Sequence, residues 1–129
     1  LRIIDANYNR AREGLRVCED LMRFLFEDEE KAEKLKKLRR SLSKLIDEFE
    51  LKELVGARDV EGDRLKLKDI KKEGEVSTRL LLRRNFQRVT EALRVLEEVC
   101  LLLKPGLRKK FMSLRFKLYE IEEGAYGRI

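Results

Sequence analysis

The sequence predicts an all-α protein, a helical bundle of two pseudo-symmetric helical hairpins with a long central connection. Apolar residues recur with helical spacing along most of the chain, and a single proline in 129 residues permits long helices. The pattern N-x-x-R-x-x-E-x-L-R-V-x-E occurs at 7–19 and again at 85–97. Because a hairpin cannot bury its apolar face alone, we expect one domain over 1–129, with repeat halves at about 1–50 and 77–125.

The first half of the sequence predicts two helices. The first runs from about Asp5 to Phe26, and the second from about Asp28 to Glu50. The acidic start of the second helix suits the positive end of a helix dipole. The residues predicted to face inward are Ala11, Leu15, Cys18, Met22 and Leu25, with Gly14, Val17, Leu21 and Phe24 beside them, on the first helix, and Leu35, Leu38, Leu42, Leu45 and Phe49 on the second.

The middle of the chain breaks the helical pattern between Leu51 and Gly74. This stretch is rich in glycine and in charge, so it predicts a long connection with one short helical turn near Leu67 to Lys72. Connections of this length without regular structure are often functional.

The second half of the sequence predicts two further helices. The third begins at Ser77, a suitable N-cap, and runs to Leu103. Pro105 then breaks the pattern and fits the first position of a fourth helix, which ends near Glu123, before Gly124 and Gly127. Its inward residues are expected to be Phe111, Leu114, Leu118 and Ile121.

The composition narrows the classes of function. Charged residues make up 43% of the chain, and the net charge is +6 at neutral pH. The charge is compatible with an anionic partner and equally with a solvated helix surface of mixed charge. The basic residues form no single stripe, so nucleic acid is not the expected partner. The chain has no histidine, which excludes histidine acid–base catalysis and most kinds of zinc site.

The sequence also indicates a cytoplasmic protein. Cys18 and Cys100 have apolar helical neighbours and are expected to be reduced thiols in the core. No apolar run approaches the roughly 20 residues of a membrane span, and the first residues lack a signal-peptide pattern. We therefore expect no contact with a membrane.

Each copy of the repeated motif places an asparagine and an arginine among apolar neighbours on a helical wheel. Asn7 and Arg10 fall in the apolar sector of the first helix, and Asn85 and Arg88 in that of the third. A buried polar group without a partner costs about 1–3 kcal/mol, and a charge costs more. Two explanations stay open: an internal network in which each arginine pairs with the next motif glutamate, or a polar cavity where the halves meet. The cavity would be lined by Asn7, Arg10, Glu13, Asn85, Arg88 and Glu91.

The residue types of the predicted cavity suit a phosphorylated small molecule. Arginine binds phosphate oxygens at two points, asparagine amides can read a heterocycle, and carboxylates can hold Mg²⁺ beside phosphate. The sequence has no G-x-x-x-x-G-K-[ST] loop, so phosphate binding would depend on arginines and a metal ion. The candidate carboxylates are Asp5, Glu13, Asp59, Asp63 and Glu91.

These motifs resemble those of the helical hydroxymethylpyrimidine-phosphate kinase domain of bacterial thiamine biosynthesis. Residues 4–17 are similar to its D-A-N-x-N-R-A-x-E-G-L-R-V opening, and residues 85–98 to its N-x-x-R-x-x-E-A-L-R-V-L-E-E element. Arg58-Asp59-x-x-x-Asp63 is similar to its central R-D-x-x-x-D segment, although Arg64-Leu65 follows where that family has a V-G pair. Leu114-Arg115-x-x-Leu118-Tyr119 is similar to its closing L-R-x-x-L-Y, so the resemblance covers nearly the whole chain.

The resemblance implies an enzyme that phosphorylates hydroxymethylpyrimidine phosphate to the diphosphate, with ATP and Mg²⁺. It also implies a domain that often precedes thiamine-phosphate synthase in one polypeptide, here in a standalone form. Under this hypothesis we expect Arg10, Arg58 and Arg88 to contact phosphate, Asn7 and Asn85 to orient the pyrimidine or line the pocket, and Glu13 and Glu91 to hold the arginines. Asp5, Asp59 and Asp63 are the candidate catalytic residues, which would deprotonate the hydroxymethyl group or hold Mg²⁺, with Asp59 and Asp63 as the candidate metal ligands.

Other interpretations of the sequence stay open. A non-enzymatic helical module could bind RNA or a partner protein, and a structural bundle could use its polar sets as interhelical networks. Among partners, a homodimer is common for domains this small, and thiamine-phosphate synthase follows from the resemblance.

Overall fold

The computed structural model describes residues 1–49 and 77–126, in which it shows four long helices and no strand. They are α1 (Arg2–Asp20), α2 (Glu29–Ile46), α3 (Thr78–Leu103) and α4 (Arg108–Tyr126). The prediction of an all-α fold is confirmed. No helix of these residues is long and apolar enough to cross a membrane. The predicted connection Leu51–Gly74, with its short helical turn, lies outside the described residues.

A π-helical turn, Leu21–Leu25, follows α1 where the sequence predicts continued α-helix. A π turn holds more residues than an α-helical turn, so it rotates the side chains that follow Asp20. Met22 still faces the core, whereas Phe24 and Leu25 are 68% and 61% exposed. The prediction that these two side chains face inward is therefore wrong.

Side-chain caps start α2 and α3. Asp28 accepts a hydrogen bond from the backbone amide of Lys31 at 3.2 Å, and Ser77 accepts one from that of Leu80 at 3.1 Å. Each bond satisfies an amide that the first turn of a helix leaves unpaired. The prediction of Ser77 as an N-cap is confirmed.

The fourth helix continues past Gly124, beyond its predicted end. A 3₁₀ turn, Pro105–Leu107, leads into α4, in line with the prediction that proline opens this helix. The helix then reaches Tyr126 because Ala125 is fully buried and the ring of Tyr126 packs edge-on against Phe86, with 5.9 Å between centroids. Packing of the last turn thus outweighs the weak helix propensity of one glycine.

The two long helices, α1 and α3, pack in opposite directions at the centre of the bundle. Cys18 Sγ lies 4.0 Å from the carbonyl oxygen of Leu82, and Gly14, one turn earlier, faces Asn85 and Val89, further along α3. A Cβ atom at Gly14 would lie only 2.7 Å from Cγ2 of Val89, so glycine permits this close approach. The two motif copies are therefore adjacent and antiparallel, as a pseudo-two-fold relation requires.

Each half of the chain is a hairpin, as predicted, and in each a buried glutamate joins the two helices. Glu19 of α1 lies 3.2 Å from Nε of Arg39 on α2. Glu97 of α3 accepts two hydrogen bonds from Arg115 of α4, at 2.8 and 3.0 Å. These glutamates are the last position of the repeated motif, and both are almost fully buried. A helical wheel places Glu19 on the polar sector, but its arginine partner allows it to be buried.

The ends of the helices explain why the two halves are far apart in sequence. Lys104, at the end of α3, donates from Nζ to the carbonyl oxygen of Glu48 at 2.6 Å and lies 5.5 Å from the centre of the Phe49 ring. The 26 residues of α3 span about 39 Å, so Ser77 and Phe49 lie at opposite ends of the bundle. A short loop cannot join these two points.

Both cysteines are core residues. Cys18 and Cys100 are buried and form no disulfide, which confirms the prediction of free core thiols. Burial raises the pKa of each thiol above its ordinary value. Both therefore stay protonated at neutral pH and are poor nucleophiles.

Candidate functional site

Four charged residues of the two motif copies lie on one outer surface of the α1–α3 pair. We call it the α1–α3 face and define it by Ile3, Arg10, Glu13, Val17, Phe24, Leu81, Arg88, Glu91, Val95 and Leu102. Its four charged side chains are all exposed to solvent. The prediction that they line an interior cavity is wrong, because the close approach at Gly14 leaves no room between the two helices and their motif arginines lie beside the contact instead.

Two buried asparagines lie at the edge of the α1–α3 face. Asn7 and Asn85 are each 5% exposed, and each donates from Nδ2 at 2.9 Å to a carbonyl oxygen one turn earlier, that of Ile3 or Leu81. Oδ1 of Asn85 is buried and has no partner among the described residues. An unpaired buried acceptor costs about 1–3 kcal/mol, so such groups call for a specific explanation.

The arginines of the α1–α3 face form no ion pair within 1–49 and 77–126. Arg10 does not pair with Glu13, and Arg88 does not pair with Glu91, so the predicted internal network is not seen in this part of the chain. Two guanidinium groups on one face are therefore available to an anion. Each can bind a phosphate through two parallel hydrogen bonds.

Asp5 lies on a different side of α1 from Arg10. Five residues apart on a helix, the two side chains point about 140° away from each other. Asp5 is buried, and its carboxylate accepts a hydrogen bond at 3.4 Å from Asn9, which in turn accepts one from Arg12 at 3.3 Å. The structure therefore does not bring Asp5 together with the motif arginines.

The remaining predicted site residues, Arg58, Asp59 and Asp63, lie outside the described residues. Within 1–49 and 77–126, no three acidic or cysteine side chains gather as a metal ion would require. The assignment of Asp59 and Asp63 as Mg²⁺ ligands stays a prediction.

Sequence reasoning missed a groove of about 580 Å³ between the start of α3 and the end of α4. The sequence signal that could have indicated this groove is a pair of polar side chains, Glu122 and Tyr126, one turn apart on α4 beside the apolar stripe of that helix. Arg83 faces them from α3. The groove is lined by Ser77, Arg79, Leu80, Arg83, Gln87, Glu122 and Tyr126.

Burial and neighbouring charges shift pKa values in this groove. Burial raises the pKa of Glu122, and the Tyr126 hydroxyl and Arg83 partly oppose this effect. Burial and the Glu122 charge raise the pKa of Tyr126 to about 12. The Tyr126 hydroxyl is buried and makes no hydrogen bond of good geometry among the described residues. The groove is thus a second place where a polar ligand could bind.

Comparison with known proteins gives a consistent result. A sequence profile of the ThiD2 family matches residues 2–124. The thiamine-phosphate synthase of Nostoc punctiforme is 40% identical over 127 residues, which is 98% of this chain. Those of Synechocystis sp. and Gloeobacter violaceus are 41% and 40% identical, also over 98% of this chain. No solved structure gives a significant match.

The chain spans about a third of the length of the curated relatives it matches. The alignment covers 35% of the Nostoc punctiforme protein and 36% of the other two. Most of each relative lies outside the match, so the activity in its name cannot be assigned to the matching third by similarity alone.

Proposed function

We propose, from the premise that this chain belongs to the ThiD2 family, that it transfers a phosphoryl group from ATP to hydroxymethylpyrimidine phosphate and yields the diphosphate. The relatives named thiamine-phosphate synthase connect the chain to thiamine biosynthesis. A helical domain that matches about a third of their length and has its own candidate site, the α1–α3 face, is suited to an activity separate from the one in their name. Association with a thiamine-phosphate synthase is part of the same proposal.

The proposed reaction joins two anionic substrates. A phosphate oxygen of hydroxymethylpyrimidine phosphate attacks the γ-phosphorus of ATP, and the bond from that phosphorus to the β-phosphate oxygen breaks. The electron pair leaves with ADP. Because the second pKa of a phosphate monoester is about 6, the attacking oxygen is already ionised at neutral pH. The acceptor therefore needs no general base, and the proposal gives Asp5 no role in deprotonation.

The single observation that carries the proposal is the pair of arginines, Arg10 and Arg88, on the α1–α3 face. Both are exposed, and neither has an ion-pair partner among the described residues. Phosphoryl transfer depends mainly on positioning the phosphates and neutralising their charge, which guanidinium groups can do. The pseudo-two-fold relation gives two similar half-sites, and two half-sites suit a reaction between two phosphorylated substrates.

The other residues of the proposed site act around these arginines. The amides of Asn7 and Asn85 lie at the edge of this face, and Oδ1 of Asn85, which has no partner among the described residues, would accept from the exocyclic amino group of the pyrimidine. Glu13 and Glu91 would hold the arginines once substrate orders them. Arg58 would be a third phosphate contact.

The residues that would hold Mg²⁺ are Asp59 and Asp63. A divalent cation neutralises charge on the transferring phosphates in reactions of this kind. Two carboxylates are a suitable ligand set, because Mg²⁺ prefers oxygen ligands and keeps several water molecules.

Removal of either arginine tests the proposal. We expect Arg10→Ala and Arg88→Ala each to lower kcat/KM for hydroxymethylpyrimidine phosphate by roughly 10- to 100-fold, since a charge-assisted hydrogen bond contributes about 1.5–3 kcal/mol. The measurement is ATP-dependent formation of the diphosphate, followed by phosphorus NMR.

Arg40→Ala is the matched control. Arg40 is an exposed arginine on α2, away from the α1–α3 face, and its loss should leave kcat/KM unchanged. Circular dichroism confirms that each variant is folded. No conversion by folded wild-type protein with ATP and Mg²⁺ would refute the proposed function.

A further inference from the structure

Within 1–49 and 77–126, the α1–α3 face carries large apolar side chains that no described element covers. Ile3 of α1 and Phe24 of the π turn that follows it are 54% and 68% exposed, and Leu81 and Leu102 of α3 are 39% and 87% exposed. Leu81 and Leu102 are 21 residues apart on α3, a multiple of the seven-residue spacing that keeps side chains on one contact seam between helices. Exposed apolar patches rimmed by polar residues mark interaction sites on small proteins.

The apolar side chains lie at the two ends of the face, and the charges lie between them. In the antiparallel pair, Phe24 is near the start of α3, and Ile3 is near its end. Arg10, Glu13 and the matching pair on α3 occupy the middle. Each end of the face thus offers an apolar patch, and the charged side chains between the ends can pair across a contact.

The charges of the face cancel locally. Two arginines and two glutamates give it no net charge, although the whole chain carries a net charge of +6. Two copies of a basic protein repel each other in most orientations. Contact through a neutral face avoids this repulsion and lets arginines of one copy approach glutamates of the other.

The pseudo-two-fold relation identifies the partner as a second copy. Residues 78 positions apart are equivalent in the two repeats, so Ile3 matches Leu81 and Phe24 matches Leu102 in apolar character. Because both ends of the face are apolar, a second copy packed face to face places apolar side chains against apolar side chains, as a two-fold contact between identical patches requires.

The footprint of the whole face sets an upper limit on the area that the contact buries. The 22 residues from Ile3 to Phe24 span about 33 Å, and two adjacent helices are about 20 Å wide, so the footprint is on the order of 650 Å² per copy. A standard interface buries about 800 Å² per partner. The estimate is close to that size.

We infer that two copies of this chain form a homodimer through their α1–α3 faces, with the apolar ends in contact and the motif arginines around a polar cleft at the two-fold axis. The long charged side chains hold the backbones apart in the middle, so water and small anions can enter there. In the dimer, Arg10 and Arg88 of the partner subunit lie across the cleft. The polar cavity that the sequence predicts inside one chain then forms between two chains. This last step rests on the proposed function, whereas the dimer itself does not.

Charge reversal gives the sharpest test of the dimer. Glu13→Arg with Glu91→Arg makes the face strongly positive, and Arg10→Glu with Arg88→Glu makes it strongly negative. We expect wild-type protein to sediment as a dimer and each double variant as a monomer. A mixture of the two double variants should form the heterodimer, which native mass spectrometry distinguishes by mass.

Substitution at the apolar ends is the second arm. Phe24→Asp and Leu102→Asp should each raise the dimer dissociation constant at least tenfold, measured by sedimentation equilibrium. Phe116→Asp is the matched control, because Phe116 is 52% exposed but lies on α4 and should leave the constant unchanged. Circular dichroism checks the fold of every variant.

The outcomes separate the dimer from the proposed function. Wild-type protein that is monomeric at tens of micromolar, or charge-reversed variants that fail to pair when mixed, would overturn the dimer. Neither readout uses ATP or a pyrimidine, so a dimer without kinase activity supports this inference while it counts against the proposed function.

Discussion

Gly14 shows how one residue sets the distance between the two halves of the molecule. A Cβ atom there would lie 2.7 Å from Cγ2 of Val89 and 3.2 Å from the carbonyl oxygen of Asn85. The second atom belongs to the backbone of α3 and cannot move without shifting the helix. The glycine therefore serves the packing of α1 on α3, at the usual cost of glycine inside a helix.

We expect Gly14→Ala to lower the free energy of unfolding by about 1–3 kcal/mol, because the added methyl group forces the two helices apart. Urea unfolding followed by circular dichroism measures the change. Gly106→Ala is the control, since a Cβ there meets no atom within 4 Å and should be neutral or slightly stabilising. Equal effects of the two substitutions would contradict the close approach.

Tyr126 connects stability to alkaline pH. Its pKa in the folded protein is about 12, above the ordinary value of 10.0, because burial and the Glu122 charge disfavour the phenolate. For a raised pKa, the stabilisation is complete below the unfolded value and is lost as the pH rises through the folded value, here between pH 10 and pH 12.

We expect wild-type protein to lose about 1 kcal/mol more stability than Tyr126→Phe over this pH range, a figure reduced for solvent screening of a partly exposed ring. Urea unfolding at both ends of the range measures it. The same pH dependence in Tyr126→Phe as in wild type would show that this phenol does not contribute.

At the scale of elements, the two hairpins use the same ion pair with different strength. Arg115 makes two hydrogen bonds to Glu97 and a third, at 3.1 Å, to the hydroxyl of Tyr119. Arg39 makes one to Glu19 and is more exposed. Both glutamates are buried and need a cation, since an unpaired buried charge is strongly destabilising.

We expect Arg115→Ala to cost about 3 kcal/mol of unfolding free energy and Arg39→Ala about 1 kcal/mol. The smaller effect follows from solvent access to Arg39 and from Arg23, which lies 3.5 Å from Glu19 and can take over part of the pairing. Chemical denaturation of the two alanine variants gives the comparison. A larger loss for Arg39→Ala would reverse our ranking of the two pairs.

At the scale of the whole molecule, the arrangement of helices determines which surfaces remain for function. α2 and α4 cover one side of the central α1–α3 pair, and no described element covers the other. The repeated motif contributes residues to both sides. Glu19 and Glu97 are buried on the side that α2 and α4 cover, and Arg10 and Arg88 are exposed on the other side. One motif therefore serves both hairpin stability and the proposed ligand face, and the inferred dimer would cover that face.

The sequence by itself determined the helices and their pairing into hairpins. Helical periodicity, Ser77 as an N-cap and Pro105 as a helix start are local signals, because hydrogen bonding and dihedral preferences act within a few residues. The duplicated motif predicted the pseudo-two-fold relation of the halves, and its residues were sufficient to indicate the family.

Only the tertiary structure decided which apolar sector of each long helix is the core. Periodicity does not distinguish the buried apolar sector from its exposed neighbour, so it predicted that Arg10 and Arg88 line an interior cavity. The close contact at Gly14 turns one sector of α1 toward α3 and leaves the neighbouring sector exposed. Periodicity also could not predict the π turn that leaves Phe24 and Leu25 exposed. Contacts between residues far apart in sequence depend on the packing of whole helices, which no local pattern records.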